Sequence, residues 1–407
     1  MTQPRRALVI GGSLGGLFAA SLLRAIGWDV TIFEKTVGDL AGRGAGLGLS
    51  AELFAALRRV GARVGPTTCV TIASLIWLER DGSIPYTLAR PWLTGAWSKI
   101  YRPMRDIVPD AIVRPGRALE RVEQDGRRVV AVFADGAREE ADLLVAADGI
   151  HSTVRRQFLP EIEPRYAGYI AWRGVVEERD LDPDTHALLA GRMAFTFCDG
   201  NMTLSTPIPG QDDDVRAGHR RYYYIWYRLV EAGARLDDLL TDDAGRHHGY
   251  ALPPPLIREE HIEAMKRDAK ALLPHALADI VQRTAQPLLQ AVTDLEVPRL
   301  VFGRAALMGD ASFIARPHVA AGITKAAYDA VALADALAEE GDIDRALQRY
   351  ERERRAWGSA LVEYSRYLGA ASLAPARERD PARVMREYGA PHLLHDADPA
   401  AILGGPP

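Results

Sequence analysis

Two cysteines, Cys69 and Cys198, are all that 407 residues contain. So few exclude a disulfide-stapled scaffold, and a reducing cytoplasm is the simpler expectation. Long apolar runs are missing as well, since no stretch approaches the roughly 20 residues that a membrane-spanning helix needs. The opening "MTQPRRALVIGG" reaches glycine too soon for the apolar centre of a signal peptide. Charge of one sign is concentrated nowhere. Lysine and arginine number 50 against 54 aspartates and glutamates, a formal net charge of −4 with the signs interspersed. That balance argues against a nucleic-acid partner and against a charged tail. No Cys/His spacing fits zinc, and no internal repeat recurs. The expectation is a soluble, cytoplasmic, globular protein without a membrane partner, long enough for two or three domains.

What is present begins at residues 7–10, "ALVI", a short apolar run that reads as a buried parallel strand. "LFAASLLRAIG" follows at helical spacing and stops at Gly27, and "DVTIFEK" is a second strand. Together they make a β-α-β unit. The turn between strand and helix is Gly11-Gly12-Ser13-Leu14-Gly15-Gly16. A dinucleotide fingerprint wants glycine at its first, third and sixth positions, here Gly11, Ser13 and Gly16. Serine in the middle keeps the side chain small and adds a hydroxyl. The helix N-terminus supplies free N–H groups and partial positive charge for a pyrophosphate. Glu34, roughly 20 residues on, stands where a carboxylate binds a ribose diol. Its charge argues against a 2′-phosphate, which leaves FAD or NAD.

Two later segments bear on that choice. "DLLVAADGIHSTVRR" carries a buried strand into Asp148-Gly149 and then a helix capped by Ser152. "PRLVFGRAALMGD" ends another buried strand at Gly309-Asp310, where an Asp can accept hydrogen bonds from a polyol. Each alone reads as an ordinary turn. In this order, over roughly residues 7–340, the three segments resemble the single-component aromatic hydroxylases, FAD-dependent and NAD(P)H-using monooxygenases of the para-hydroxybenzoate hydroxylase type. "YAGYIAWRGVV" (Tyr166–Val176) and "GDASFIARPHVAAGITKA" (Gly309–Ala326) look most like the branch of that family that acts on pyridine diols. The usual family pattern in the second stretch has Pro, two spaced glycines and Asn, where this chain has Pro317, Val319, Ala321, Gly322 and Thr324.

The resemblance implies an α/β fold: a Rossmann-like FAD-binding domain, an inserted mixed or antiparallel β-sheet substrate domain, and a C-terminal helical segment. The expected partition is 1–75, 100–165 and 290–340 for FAD, 76–99 and 166–289 for substrate, and 341–407 for the helical segment with a frayed tail. It implies that Gly11, Ser13, Leu14, Gly15 and Gly16 lie under the FAD pyrophosphate, with Glu34 and Lys35 at the adenosine ribose. Arg43 comes near the flavin or its phosphates, and Arg102 matches a family arginine near FAD, although Arg105 stands where a leucine usually follows. Asp148 and Gly149 serve FAD, and Asp310 binds the ribityl chain or pyrophosphate. Pro317, Ala321, Gly322 and Ile323 bring a helix N-terminus to the isoalloxazine ring.

NAD(P)H would then be a transient co-substrate in a shared groove. Oxygen, O2, would reach a small phenolic or hydroxypyridine ring through a flavin C4a-hydroperoxide. His318 is the leading candidate to help remove a phenolic proton, because an imidazole titrates in the working range. Arg316 could face the same pocket. In "RYYYIWYRLV", Tyr222, Tyr224 and Trp226 share one face, and Tyr223, Ile225 and Tyr227 share the other. Tyr222 and Tyr224 are taken as the ring-facing pair, and Trp172-Arg173 as a structural pair joining the domains. Cys198 reads as a small buried apolar residue. The resemblance also implies a homodimer. The rival readings are a flavin oxidase or reductase without oxygen transfer, a membrane-bound hydroxylase and a pure NAD-binding regulator. The Asp148-Gly149 and Gly309-Asp310 segments weigh against the first and the last.

Overall fold

The computed structural model describes residues 4–40, 46–211 and 213–396. The expected β-α-β unit is present as strand Arg6–Ile10, helix Leu14–Ala25 and strand Asp29–Glu34. These strands sit in a six-stranded sheet with Leu143–Ala146 and Ala305–Leu307 on one side and Val113–Pro115 on the other. The pairings are parallel except at the Val301–Phe302 edge. Parallel strands covered on both faces need apolar side chains throughout, and Ala7, Leu8, Val9 and Leu143–Ala146 are all buried. Helices Leu14–Ala25 and Gly322–Glu340 pack together on one face. On the other lies a three-stranded antiparallel sheet whose Phe133 meets Phe33 at 4.5 Å.

A mixed ten-stranded sheet makes the second layer system. Its centre is antiparallel, with Arg165–Glu177, Arg221–Leu229, Asn201–Ile208 and Arg192–Cys198 side by side, and Arg192–Cys198 runs parallel to Cys69–Trp77. Strands Gly46–Leu49 and Cys69–Trp77 belong to this sheet, although the first and most of the second fall within residues 1–75. Helix Ile343–Leu373 joins the two systems, packing on Gly322–Glu340 and on strand Leu288–Glu296. It approaches closely because Gly358 faces the Phe313 ring, which a Cβ there would overlap. Helix Gly322–Glu340 ends at Gly341, where φ is +65°, and the chain restarts as helix Ile343–Leu373 with the Asp342 carboxylate accepting from the Arg345 N–H. Among the described residues no helix is long and apolar enough to cross a membrane.

Candidate active site

Strand Arg6–Ile10 must turn sharply into helix Leu14–Ala25, and glycine permits it. Gly11 has φ +110°, and a Cβ on Gly11 would overlap the Ala147 carbonyl. A Cβ on Gly16 would overlap the Gly11 carbonyl oxygen. Ser13 occupies the N-cap with its side chain exposed and making no cap bond, so the first-turn N–H groups stay open to an anion. The Glu34 carboxylate is held by two backbone donors at 2.8 Å, from Gly12 and from Thr36. Each oxygen keeps lone-pair capacity for a hydroxyl, and Glu34 lines a cavity of about 420 Å³ with Gly12, Gly38 and Pro115.

Two expectations shift here. Arg102 is exposed on helix Trp97–Asp106, whereas Arg105, almost one turn further, lines that cavity, paired with Asp110 and donating to the Val108 carbonyl at 2.8 Å. Residues three apart on a helix are neighbours, and here it is Arg105, not Arg102, that faces the cavity. Lys35 is exposed. Arg43 lies outside the described residues.

A second cavity, of about 430 Å³, opens on the opposite side of the glycine turn. Ser13, Leu14 and Gly15 line one end, with Gly149 and Asp310 beside them. Pro317, Ala321, Gly322 and Ile323 complete that end. The helix starting at Gly322 follows a left-handed Ala320, with φ +50°, and Ala321 caps it without a side-chain bond. Here the small residues of the Ala/Gly-rich helix have their reason. Ala326 packs within 3.5–3.6 Å of where a Cβ would stand on Gly15 and on Gly309, so the three turns approach as backbones.

Asp310 is exposed and 3.2 Å from the buried ammonium of Lys325. Its turn is held from beneath. The Gly309 N–H donates to Asp329 at 2.9 Å, and Asp329 is paired with Arg354 at 2.7 Å, both side chains under a tenth exposed. Asp148 does not face this cavity. Its Oδ2 accepts from the Thr153 N–H at 2.8 Å at the start of the next helix, and burial pushes its carboxyl up from the usual range. The open N–H groups, the cradle that a Cβ would fill and the exposed, cavity-lining Asp310 fit an extended dinucleotide such as FAD.

At the other end the wall is the ten-stranded sheet, and the strand Arg221–Leu229 presents the opposite face to the one expected. Tyr223, Ile225 and Tyr227 line the cavity. Tyr222 and Tyr224 pack with Trp226 against Met265 and Ile280 of helices Glu259–Leu272 and His275–Arg283. The Tyr224 hydroxyl points at the Met265 sulfur, 3.7 Å away. His318 is also displaced from its expected role. It is fully buried behind Tyr227, ring centroids 4.2 Å apart, with Nε2 3.1 Å from the Tyr169 hydroxyl. Burial, reinforced by Arg316 and Arg173, holds it down to about 3, so it is neutral at working pH. A neutral, enclosed imidazole positions Tyr227 and does not reach a ring in the cavity. Arg316 lines the cavity, but its guanidinium is engaged by Asp294 at 2.8 Å. Both cysteines are free, and burial raises the Cys69 thiol to about 11.

Comparison with known proteins bears on what such a site does. Residues 166–294 match the family model "FAD binding domain-like" and residues 255–365 match "FAD binding domain". The chain is 31% identical over 366 residues to the 2,6-dihydroxypyridine 3-monooxygenase of Paenarthrobacter nicotinovorans, covering 88% of this chain and 89% of that protein. The chain belongs to the class A flavin-dependent aromatic hydroxylases. The solved 2,6-dihydroxypyridine-3-hydroxylase from Arthrobacter nicotinovorans superposes on this hydroxylase with a TM-score of 0.88 at 28% identity, over 94% of this chain and 96% of that one. The 6-hydroxynicotinate 3-monooxygenase of Pseudomonas fluorescens is 28% identical over 397 residues, 90% of this chain and 91% of that protein. The hydroxylase thus has the expected Rossmann-like FAD fold with an added sheet and a helical C-terminal part.

Several cavity residues were not singled out in the sequence. Trp92 comes from strand Tyr86–Ala96 and Tyr388 from the segment after helix Pro381–Glu387, and their rings meet at 6.0 Å. Gly389 lets that segment press on the Trp92 ring. Tyr388 had no local signal, because nothing near residue 388 announces that the chain returns to the pocket.

Proposed function

We propose that this hydroxylase is an NAD(P)H- and O2-dependent monooxygenase that hydroxylates a small phenolic or hydroxypyridine ring in the cytoplasm. The observation that carries this is one cavity with two chemically different ends. One end is built of backbone turns and two helix N-termini, and the other of Tyr223, Tyr227, Trp92 and Tyr388. FAD held at the first end would, once reduced by NAD(P)H, supply activated oxygen to a ring held at the other. Ser13 and the N-terminus at Leu14 receive the pyrophosphate, and Asp310 the sugar alcohol. The N-terminus at Gly322 would stabilise negative charge on a flavin held there. The aromatic wall orients a planar ring by stacking and excludes water. Burial raises Tyr223 and Tyr227 above the usual phenol range, so both stay protonated and can donate to a substrate oxygen.

The test is anaerobic reduction of the purified yellow protein by NADH and by NADPH, with and without 2,6-dihydroxypyridine, 6-hydroxynicotinate and simple phenols. Strong acceleration of flavin reduction by one ring, with its hydroxylated product in air, is the expected result. Fast reduction without any ring, and no hydroxylated product, would replace this reading by an oxidase or reductase.

A further inference from the structure

One charge on the cavity wall has no counter-charge among the described residues. Arg173 lies in strand Arg165–Glu177, opposite Ile225, which is in turn opposite Leu204. The flanking cross-strand rows are Val175–Tyr223–Thr206 and Ala171–Tyr227–Met202. Residues opposite one another share a sheet face, and Arg173, Tyr223, Tyr227 and Thr206 all line the cavity. The other charges there are neutralised, Arg316 by Asp294 and Asp310 by Lys325. No acidic side chain pairs with Arg173 among the described residues, and its Nε is buried without a hydrogen-bond partner. The Tyr227 hydroxyl and Thr206 Oγ1, on the flanking rows, are buried and unpartnered too. The tyrosines cannot serve as counter-anions, because burial keeps Tyr223, Tyr227 and Tyr388 protonated.

A half-buried guanidinium whose Nε is enclosed without a partner is costly, and clustered unsatisfied polar groups in a cavity mark a place for a ligand. We propose that Arg173 is the anion anchor of the ring pocket. It binds a negatively charged oxygen on the substrate, a ring carboxylate or an ionised ring hydroxyl, with Tyr227 and Thr206 donating alongside. The planar fork suits two-point binding to such oxygens. This rests on the ring-hydroxylase reading and adds the charge of the substrate.

The experiment titrates the flavin-loaded protein with 6-hydroxynicotinate, its neutral amide and 2,6-dihydroxypyridine, following the flavin absorbance change and the heat of binding. The wild type should bind at least one of the two anionic probes 10-fold or more tighter than the amide. Arg173→Met should weaken that probe by about 10–150-fold, the loss of one charge-assisted hydrogen bond. It should change the amide by less than about 3-fold, and Arg173→Lys should retain part of the preference. Loss confined to 6-hydroxynicotinate identifies a carboxylate, and loss confined to 2,6-dihydroxypyridine a ring oxyanion. The proposal is overturned if the wild type does not prefer an anionic ring, or if Arg173→Met weakens charged and neutral rings alike. Should Arg173→Met fail to fold, the wild-type preference and the Lys variant decide. A protein that hydroxylates a ring without any Arg173-dependent charge preference overturns this inference alone, whereas one that holds no FAD overturns the ring-hydroxylase reading itself.

Discussion

Replacing Asp329 by alanine removes the group that links helix Gly322–Glu340, helix Ile343–Leu373 and the Gly309-Asp310 turn. The carboxylate is 2.7 Å from Arg354 Nε and accepts the Gly309 N–H at 2.9 Å, in a setting where neither charged side chain is a tenth exposed. Removing one partner of such a pair strands a buried charge and costs about 3–5 kcal/mol. Unfolding entropy of about 2.1 cal/mol/K per residue, taken over 407 residues, amounts to about 0.85 kcal/mol/K. Asp329→Ala should therefore lower Tm by about 4–6 °C in thermal unfolding followed by tryptophan fluorescence. FAD content after gel filtration should fall too, since Asp310 loses its fixed turn. Asp329→Ala/Arg354→Ala should melt above Asp329→Ala alone, because no charge is left stranded. A shift below about 1 °C for the single variant, or a double variant as low as the sum of the singles, would refute the reasoning.

Gly16→Ala should give protein without bound FAD, read from the flavin-to-protein absorbance ratio, because its Cβ would meet the Gly11 carbonyl and open the pyrophosphate turn. Tyr222→Phe should leave ring binding within about 2-fold and stability unchanged or higher, since its hydroxyl is buried and unpartnered. Tyr227→Phe, on the cavity face, should weaken the preferred ring by about 5-fold, and equal effects of the two would mean the faces are misassigned. His318 is held at about 3 by its burial, against about 6.5 when unfolded. Between those values the unfolded chain takes up a proton that the folded one does not, so stability falls as pH drops. The deficit reaches about 2 kcal/mol at pH 5, and His318→Gln should lose correspondingly less Tm between pH 7 and 5 than the wild type does.

The parts of the site legible in the sequence are those made by backbone. Gly11, Gly16, Gly309 and Gly322 stand at strand ends and helix starts, and tight turns leave few residue choices there. Glu34 was readable because the strand length fixes its distance from the turn. Arg102 and Arg105 are neighbours on one helix, and only packing leaves Arg102 exposed and turns Arg105 to the cavity. The aromatic strand was readable as a strand, and its alternation separated Tyr222 and Tyr224 from Tyr223 and Tyr227. Both sets are buried, so hydrophobicity could not say which faced the cavity. The choice was made by helices Glu259–Leu272 and His275–Arg283, which cover the first set.

Local sequence determined the β-α-β unit and its glycine turn, because short-range periodicity and glycine placement encode them, whereas the flavin role of the later segments came from their resemblance to a known family. Tertiary structure alone decided that His318 sits behind Tyr227, that Tyr388 returns to the pocket and that Arg173 stands there without a counter-charge among the described residues. Each of these depends on which distant element supplies the neighbour, and a side chain's burial and charge partner are set by that neighbour, not by the residues beside it in the chain.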